Sequence, residues 1–154
     1  MQIGIYDTVV NSDCHTVLVE EKSVDYNVET LTTPASAVEM INQLTGLNVK
    51  GEENSYIVAF NTKSKPLGIF FLARGTVNLC LVGPREVFLR ALLIGATHII
   101  LFHNHPSLVC TPSEEDILLT KKLKEAGELI GIPLMDHIIV AGDSYYSFRE
   151  QKSL

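Results

Sequence analysis

Two histidines, two residues apart and just ahead of a proline, stand in the segment LFHNHPSLVCTPSEED, residues 101 to 116. Positions i and i+2 of a strand project to the same side, so His103 and His105 can aim both imidazoles at one point. Imidazole is a favoured ligand for zinc, and a catalytic zinc site typically has three protein ligands and a fourth position open to water. Asp116 supplies the third ligand. The sequence predicts a helix opening at Thr111-Pro112, with Thr111 as N-cap, Pro112 in the first helical position and Glu114 completing a capping box. On that reading Ser113 and Asp116 are free of capping duty and share one helix face. The face continues through Leu119, Leu123, Ala126 and Ile130, an apolar stripe, so the Asp116 carboxylate turns inward. A buried charge needs a partner, and a cation held by the two histidines is the simplest one. Taken singly, each residue also has a plainer reading. A strand-end histidine can satisfy ordinary hydrogen bonds, and an S-x-x-D pair can simply favour the helix dipole.

The elements that must position these residues follow from pattern. IGIYDTVV and HTVLVEE, near the start, alternate as strands. Thr33 as N-cap and Pro34 behind it open a helix that Gly46 ends. ENSYIVAF, residues 53 to 60, reads as a strand, followed by a polar turn over 61 to 66 and by strands at 67 to 73 and 76 to 82. Pro84 starts a second helix, closed by Gly95. HIILF, residues 98 to 102, is a continuous apolar run of the kind buried on both faces beneath helices. After the helix that stops at Gly131, HIIVA and residues 145 to 148 form the closing strands. With the central strand between two helices, the expected architecture is a three-layer α/β sandwich over a mixed sheet.

Length and composition bound the function. The chain has 154 residues, 46 % hydrophobic and 19 % charged, which predicts one ordered globular domain spanning residues 1 to 154. Its net charge of -6 argues against a surface built to grip nucleic-acid phosphates, and Lys121, Lys122 and Lys124 read as a solvated helix face. Cys14, Cys80 and Cys110 form no C-x-x-C pair, which suits a reducing cytoplasm, and Cys110 reads as an inert thiol beside the ligands. The first residues lack the pattern of a signal peptide, and no apolar run approaches the roughly 18 residues of a membrane span. A soluble, cytoplasmic protein without membrane contact is therefore expected.

The pattern H-x-H-P, six residues, then S-x-x-D resembles the metal motif of the JAMM (MPN-plus) metalloproteases. The stretches VGPREVFLRALLIGATHIILFHNHP, TPSEED and GIPLMDHIIVAGDSYYSFRE are similar, more narrowly, to the RadC-type branch of that family. The resemblance covers residues 53 to 150 well and 30 to 52 loosely. It assigns 31 to 150 to a JAB/MPN domain and leaves 1 to 30 as an N-terminal extension. It implies a cytidine-deaminase-like α/β/α fold with one Zn2+ on His103, His105 and Asp116, acting on a peptide or an isopeptide-linked protein. It also implies a general acid/base Glu at the start of a strand. Glu53 matches that position; adjacent Glu52 is its rival, since strand alternation lets only one of the two face the metal. Glu86 is a more distant rival. Ser113 would donate a hydrogen bond to the oxyanion. Leu108 departs from the glycine usual after HNHPS, and the helix-hairpin-helix-like region of longer RadC proteins has no room in this sequence, which weakens any DNA-binding analogy. Two other readings remain: a non-catalytic interaction module of the same fold, and a DNA-repair-associated factor. The dispersed HNH nuclease motif is not this His-Asn-His triplet. The H-x-E and P-C-x-x-C pair of zinc nucleobase deaminases is absent.

Overall fold

A computed structural model describes residues 1–27, 31, 33–75 and 82–154. Among the described residues, seven strands and three α-helices follow in the order β1 (Gln2–Val10), β2 (Thr16–Asp25), α1 (Pro34–Thr45), β3 (Glu53–Phe60), β4 (Pro66–Gly75), α2 (Pro84–Leu93), β5 (His98–Asn104), α3 (Glu114–Ile130), β6 (Leu134–Ala141) and β7 (Ser144–Ser147). The strands make one mixed sheet, β2-β1-β4-β3-β5-β6-β7. The pairs β1–β4 and β5–β6 are parallel and the others antiparallel. Among the described residues no helix is long and apolar enough to cross a membrane.

Strand alternation divides the core into two layers. Every residue of β3 is buried. Tyr56, Val58 and Phe60 pack with Ala37, Met40 and Ile41 of α1, joined by Phe102, Ile138 and Val140. Ile57 and Ala59 point the other way, to Val87, Phe88 and Ala91 of α2 and Leu123 of α3, joined by Ile99 and Leu101. The result is the three-layer arrangement expected, with α1 on one face of the sheet and α2 and α3 on the other. β5 runs two residues beyond the apolar run. Its last residues pair with both neighbours, His103 opposite Ser55 of β3 and Ile139 of β6.

Local signals set most boundaries. The Thr33 side chain accepts from the Ser36 N–H, Pro34 fills the first turn, and Gly46 ends α1 with a left-handed φ of 65°. In α2, Glu86 lies in the first turn and Arg90 in the last, the order the helix dipole favours. α3 departs from expectation. Its N-cap is Ser113, and the capping box is Ser113–Asp116, not Thr111–Glu114. Both boxes are written in the sequence; the later one wins because it is the one whose carboxylate also meets the β5 histidines. The buried line of α3 is consequently Asp116, Thr120, Leu123 and Gly127, with Leu119 and Ala126 at its margin and Ile130 exposed. The strand expected at 76 to 82 lies, apart from Val82, outside the described residues.

Candidate metal centre

The centre forms where the end of β5 meets the first turn of α3. His103 is buried on the α3 side of the sheet. His105 follows in the turn, its backbone N–H held by the Val140 carbonyl at 2.9 Å, so the chain stays tied to β6 past the strand end. Asn104, between them, clamps the entry to β3. Its Oδ1 accepts from the Asn54 N–H at 2.8 Å, and its Nδ2 donates to the Lys50 and Glu52 carbonyls, both at 3.1 Å. That clamp fixes Glu53, the first residue of β3.

Four electron-rich atoms converge. His103 Nε2 lies 3.0 Å from His105 Nε2 and 3.1 Å from Asp116 Oδ1, and His105 Nε2 lies 3.4 Å from Asp116 Oδ2. One ligand atom from each of the three residues falls within 4.8 Å of the others, and among the described residues this is the group able to hold a metal ion. The His105 Nδ1 faces the Val109 carbonyl at 2.8 Å. A carbonyl only accepts, so Nδ1 carries a hydrogen, and in the neutral ring Nε2 keeps its lone pair for the centre. Imidazole lone pairs and a carboxylate facing one another at these distances repel unless a cation lies among them. The donor set therefore fits a divalent metal ion bound through two nitrogens and a carboxylate, with protons as its competitors.

The charges respond accordingly. Burial pushes the Asp116 carboxyl up, but hydrogen bonds with His103 and His105, the charge of His103 and the Ser113 N–H outweigh it and hold the group well below the usual carboxylate range. His105 is raised, chiefly by its hydrogen bond with Asp116 and against the effect of burial. Burial raises Glu53, which also feels His103, Asp116 and His105. The Glu53 side chain is thus buried within the field of the three ligands. Glu52 points to solvent and pairs with Arg74 at 3.3 Å, and Glu86 is exposed on α2 beside Arg85. Ser113 is exposed at the helix start, its N–H and Oγ–H both donating to Asp116 Oδ2 at 2.8 Å. Cys110 is a half-buried unpaired thiol outside the ligand group. Leu108, exposed at the turn, adopts a φ of 62°, the left-handed region that glycine favours.

Sequence reasoning missed two residues. His137 of β6 is fully buried with Nε2 2.8 Å from His103 Nδ1, and its Nδ1 lies 2.6 Å from Thr120 Oγ1. Thr120 is four residues beyond Asp116, one turn along the same helix face; that spacing was the available signal.

An α/β sandwich in which one strand end and one helix start offer two imidazoles and a carboxylate to a single ion defines the class of this protein. Residues 31–153 match the model of the RadC-like JAB domain, and the chain belongs to that family. Similar proteins are called UPF0758 proteins. One from Thermotoga maritima is 44 % identical over 98 residues, 64 % of this chain and 44 % of the relative. One from Finegoldia magna is 40 % identical over 121 residues, 78 % of this chain and 53 % of the relative. One from Clostridium beijerinckii is 35 % identical over 130 residues, 84 % and 56 % of the two chains. The chain spans about half the length of these relatives, and β1 and β2 precede the matched region.

Proposed function

We propose that this protein is a cytoplasmic zinc-dependent hydrolase that cleaves a peptide or isopeptide bond. The observation that carries the reading is the buried Glu53 carboxyl in the field of a His103–His105–Asp116 cluster whose ligand atoms lie within 4.8 Å of one another. Those three residues would hold the ion. When bound, zinc supplies a water with a lowered pKa and a Lewis acid for the substrate carbonyl. Glu53 takes the proton of the attacking water and delivers it to the leaving amine, a role suited to a carboxyl whose pKa burial has raised. Ser113, exposed at the start of α3, turns its hydroxyl from Asp116 to the developing oxyanion.

The test is Glu53→Gln. The variant keeps one zinc per chain and loses cleavage of peptide and isopeptide-linked test substrates by on the order of 10² to 10⁴-fold. A metal-loaded variant as active as the parent removes Glu53 from the mechanism.

A further inference from the structure

We propose that His137 and Thr120 are positioning residues that fix which nitrogen of His103 is offered to the metal. The proposal rests on the metal-site reading but not on the hydrolase reading. It follows from counting hydrogens along one chain of contacts. Thr120 Oγ1 lies 2.6 Å from the Asp116 carbonyl oxygen. A carbonyl can only accept, so the single hydroxyl hydrogen goes there. Towards His137 Nδ1, also 2.6 Å away, the hydroxyl must then accept, and Nδ1 carries the hydrogen. His137 has no exposed surface and lies flat against Phe148, ring centroids 4.9 Å apart and planes 3° from parallel. Such a setting holds a neutral imidazole, whose lone pair is then on Nε2. That lone pair meets His103 Nδ1 at 2.8 Å, so His103 Nδ1 carries a hydrogen and His103 Nε2 is bare. Nε2 is the atom that faces His105 and Asp116.

Every step runs one way, from the backbone of one ligand residue, Asp116, to the ring of another, His103. The remaining ligand is set independently by the Val109 carbonyl. Metal-bound histidines commonly have their second nitrogen fixed in this manner, and loss of such a partner lowers metal affinity ~10- to 100-fold. A mere filler at position 137 would need only the right volume and apolar contact. A relay needs an acceptor towards His103 and a donor towards Thr120.

The test uses the full chain. In the metal-free protein, long-range ¹H–¹⁵N correlation of the histidine rings shows the Nδ1–H tautomer at His137, and in the zinc-loaded protein the same tautomer at His103. Zinc affinity, measured by competition with a chromophoric chelator, falls ~10- to 100-fold in His137→Phe. It is largely kept in His137→Gln, whose amide both accepts and donates. Thr120→Val, which removes one hydroxyl with little change of shape, mixes the His137 tautomers and weakens zinc binding; it is the informative variant should His137→Phe not fold. An Nε2–H tautomer at His137, or unchanged zinc affinity in both His137→Phe and Thr120→Val, overturns the relay. A parent protein that takes up no zinc overturns the metal reading and this assignment with it.

Discussion

Ser113 and Asp116 hold each other across the first turn of α3. The Ser113 N–H and hydroxyl both donate to Asp116 Oδ2 at 2.8 Å, and the Asp116 N–H returns to Ser113 Oγ at 3.1 Å. Two of these contacts hold Oδ2, the third closes the box, and Oδ1 is left facing His103. The pair that starts the helix also aims a ligand.

Removing that hydroxyl has two separable effects. Ser113→Ala loses an N-cap, worth about 1 kcal/mol, and lowers the urea midpoint accordingly. It also frees the Asp116 carboxylate to rotate, so zinc affinity falls ~10-fold or more. Ser113→Thr keeps both contacts and restores both measurements. A lowered midpoint with unchanged affinity would mean that Ser113 caps the helix without aiming the ligand.

Asp116 itself is tested by metal content. Elemental analysis of the purified protein gives one zinc per chain, and Asp116→Ala gives none while far-ultraviolet circular dichroism stays that of an α/β fold. Equal metal in the two proteins would move the centre elsewhere.

Gly127 sets how closely α3 approaches β6. A Cβ at this position would lie 2.6 Å from the Ile132 carbonyl oxygen and 3.2 Å from the Leu134 nitrogen, and backbone cannot step aside as a side-chain tip can. Gly127→Ala gains up to ~1 kcal/mol of helix propensity. The overpacking costs about 1–3 kcal/mol, so the clash wins and chemical denaturation shows a net loss of stability. A more stable variant would mean that α3 moves freely against the sheet.

His98, at the start of β5, stacks on Phe60 with centroids 5.1 Å apart and planes 4° from parallel. Burial holds its pKa below the usual histidine value, so the folded chain favours the neutral ring. Stability from this source is complete above the unfolded value of about 6.5. It declines as pH falls from there towards the folded pKa, because the unfolded chain takes the proton first. His98→Phe keeps the stack and removes the proton, so its stability falls less than the parent's between roughly pH 7 and 5. Parallel curves for the two proteins would exclude His98 as a contributor.

What the sequence made legible was local. Pro34 and Gly46 bracket α1 because their backbone preferences act within a turn. The bounds of β3 follow from an apolar run between Gly51 and the turn at Asn61, and strand periodicity, carried one residue past β5 by the bond from the His105 N–H to Val140, brings His103 and His105 to one point. The cap of α3 was misread because T-x-x-E and S-x-x-D overlap, and only the contact with two distant histidines separates them. His137 was missed for a similar reason: it reaches His103 through the parallel register that sets Leu101 opposite His137, a pairing no local pattern encodes. The parallel pairing of β1 with β4 is equally non-local.

That last pairing bears on solubility. β4 would otherwise present open backbone donors and acceptors to any passing strand, the usual seed of sheet-to-sheet aggregation. β1 occupies them at Gly4, Ile5 and Tyr6, with the Tyr6 ring laid over Gly4 and Gly68, where a Cβ at either glycine would collide with it. The outer position passes to β2, which carries Glu20, Glu21 and Lys22 mid-strand opposite an irregularity between Ile5 and Tyr6. Charge and broken register both discourage a further strand from adding on. The ribbon ahead of the family domain thus acts as a bumper for its sheet, trading a sticky border for a repellent one.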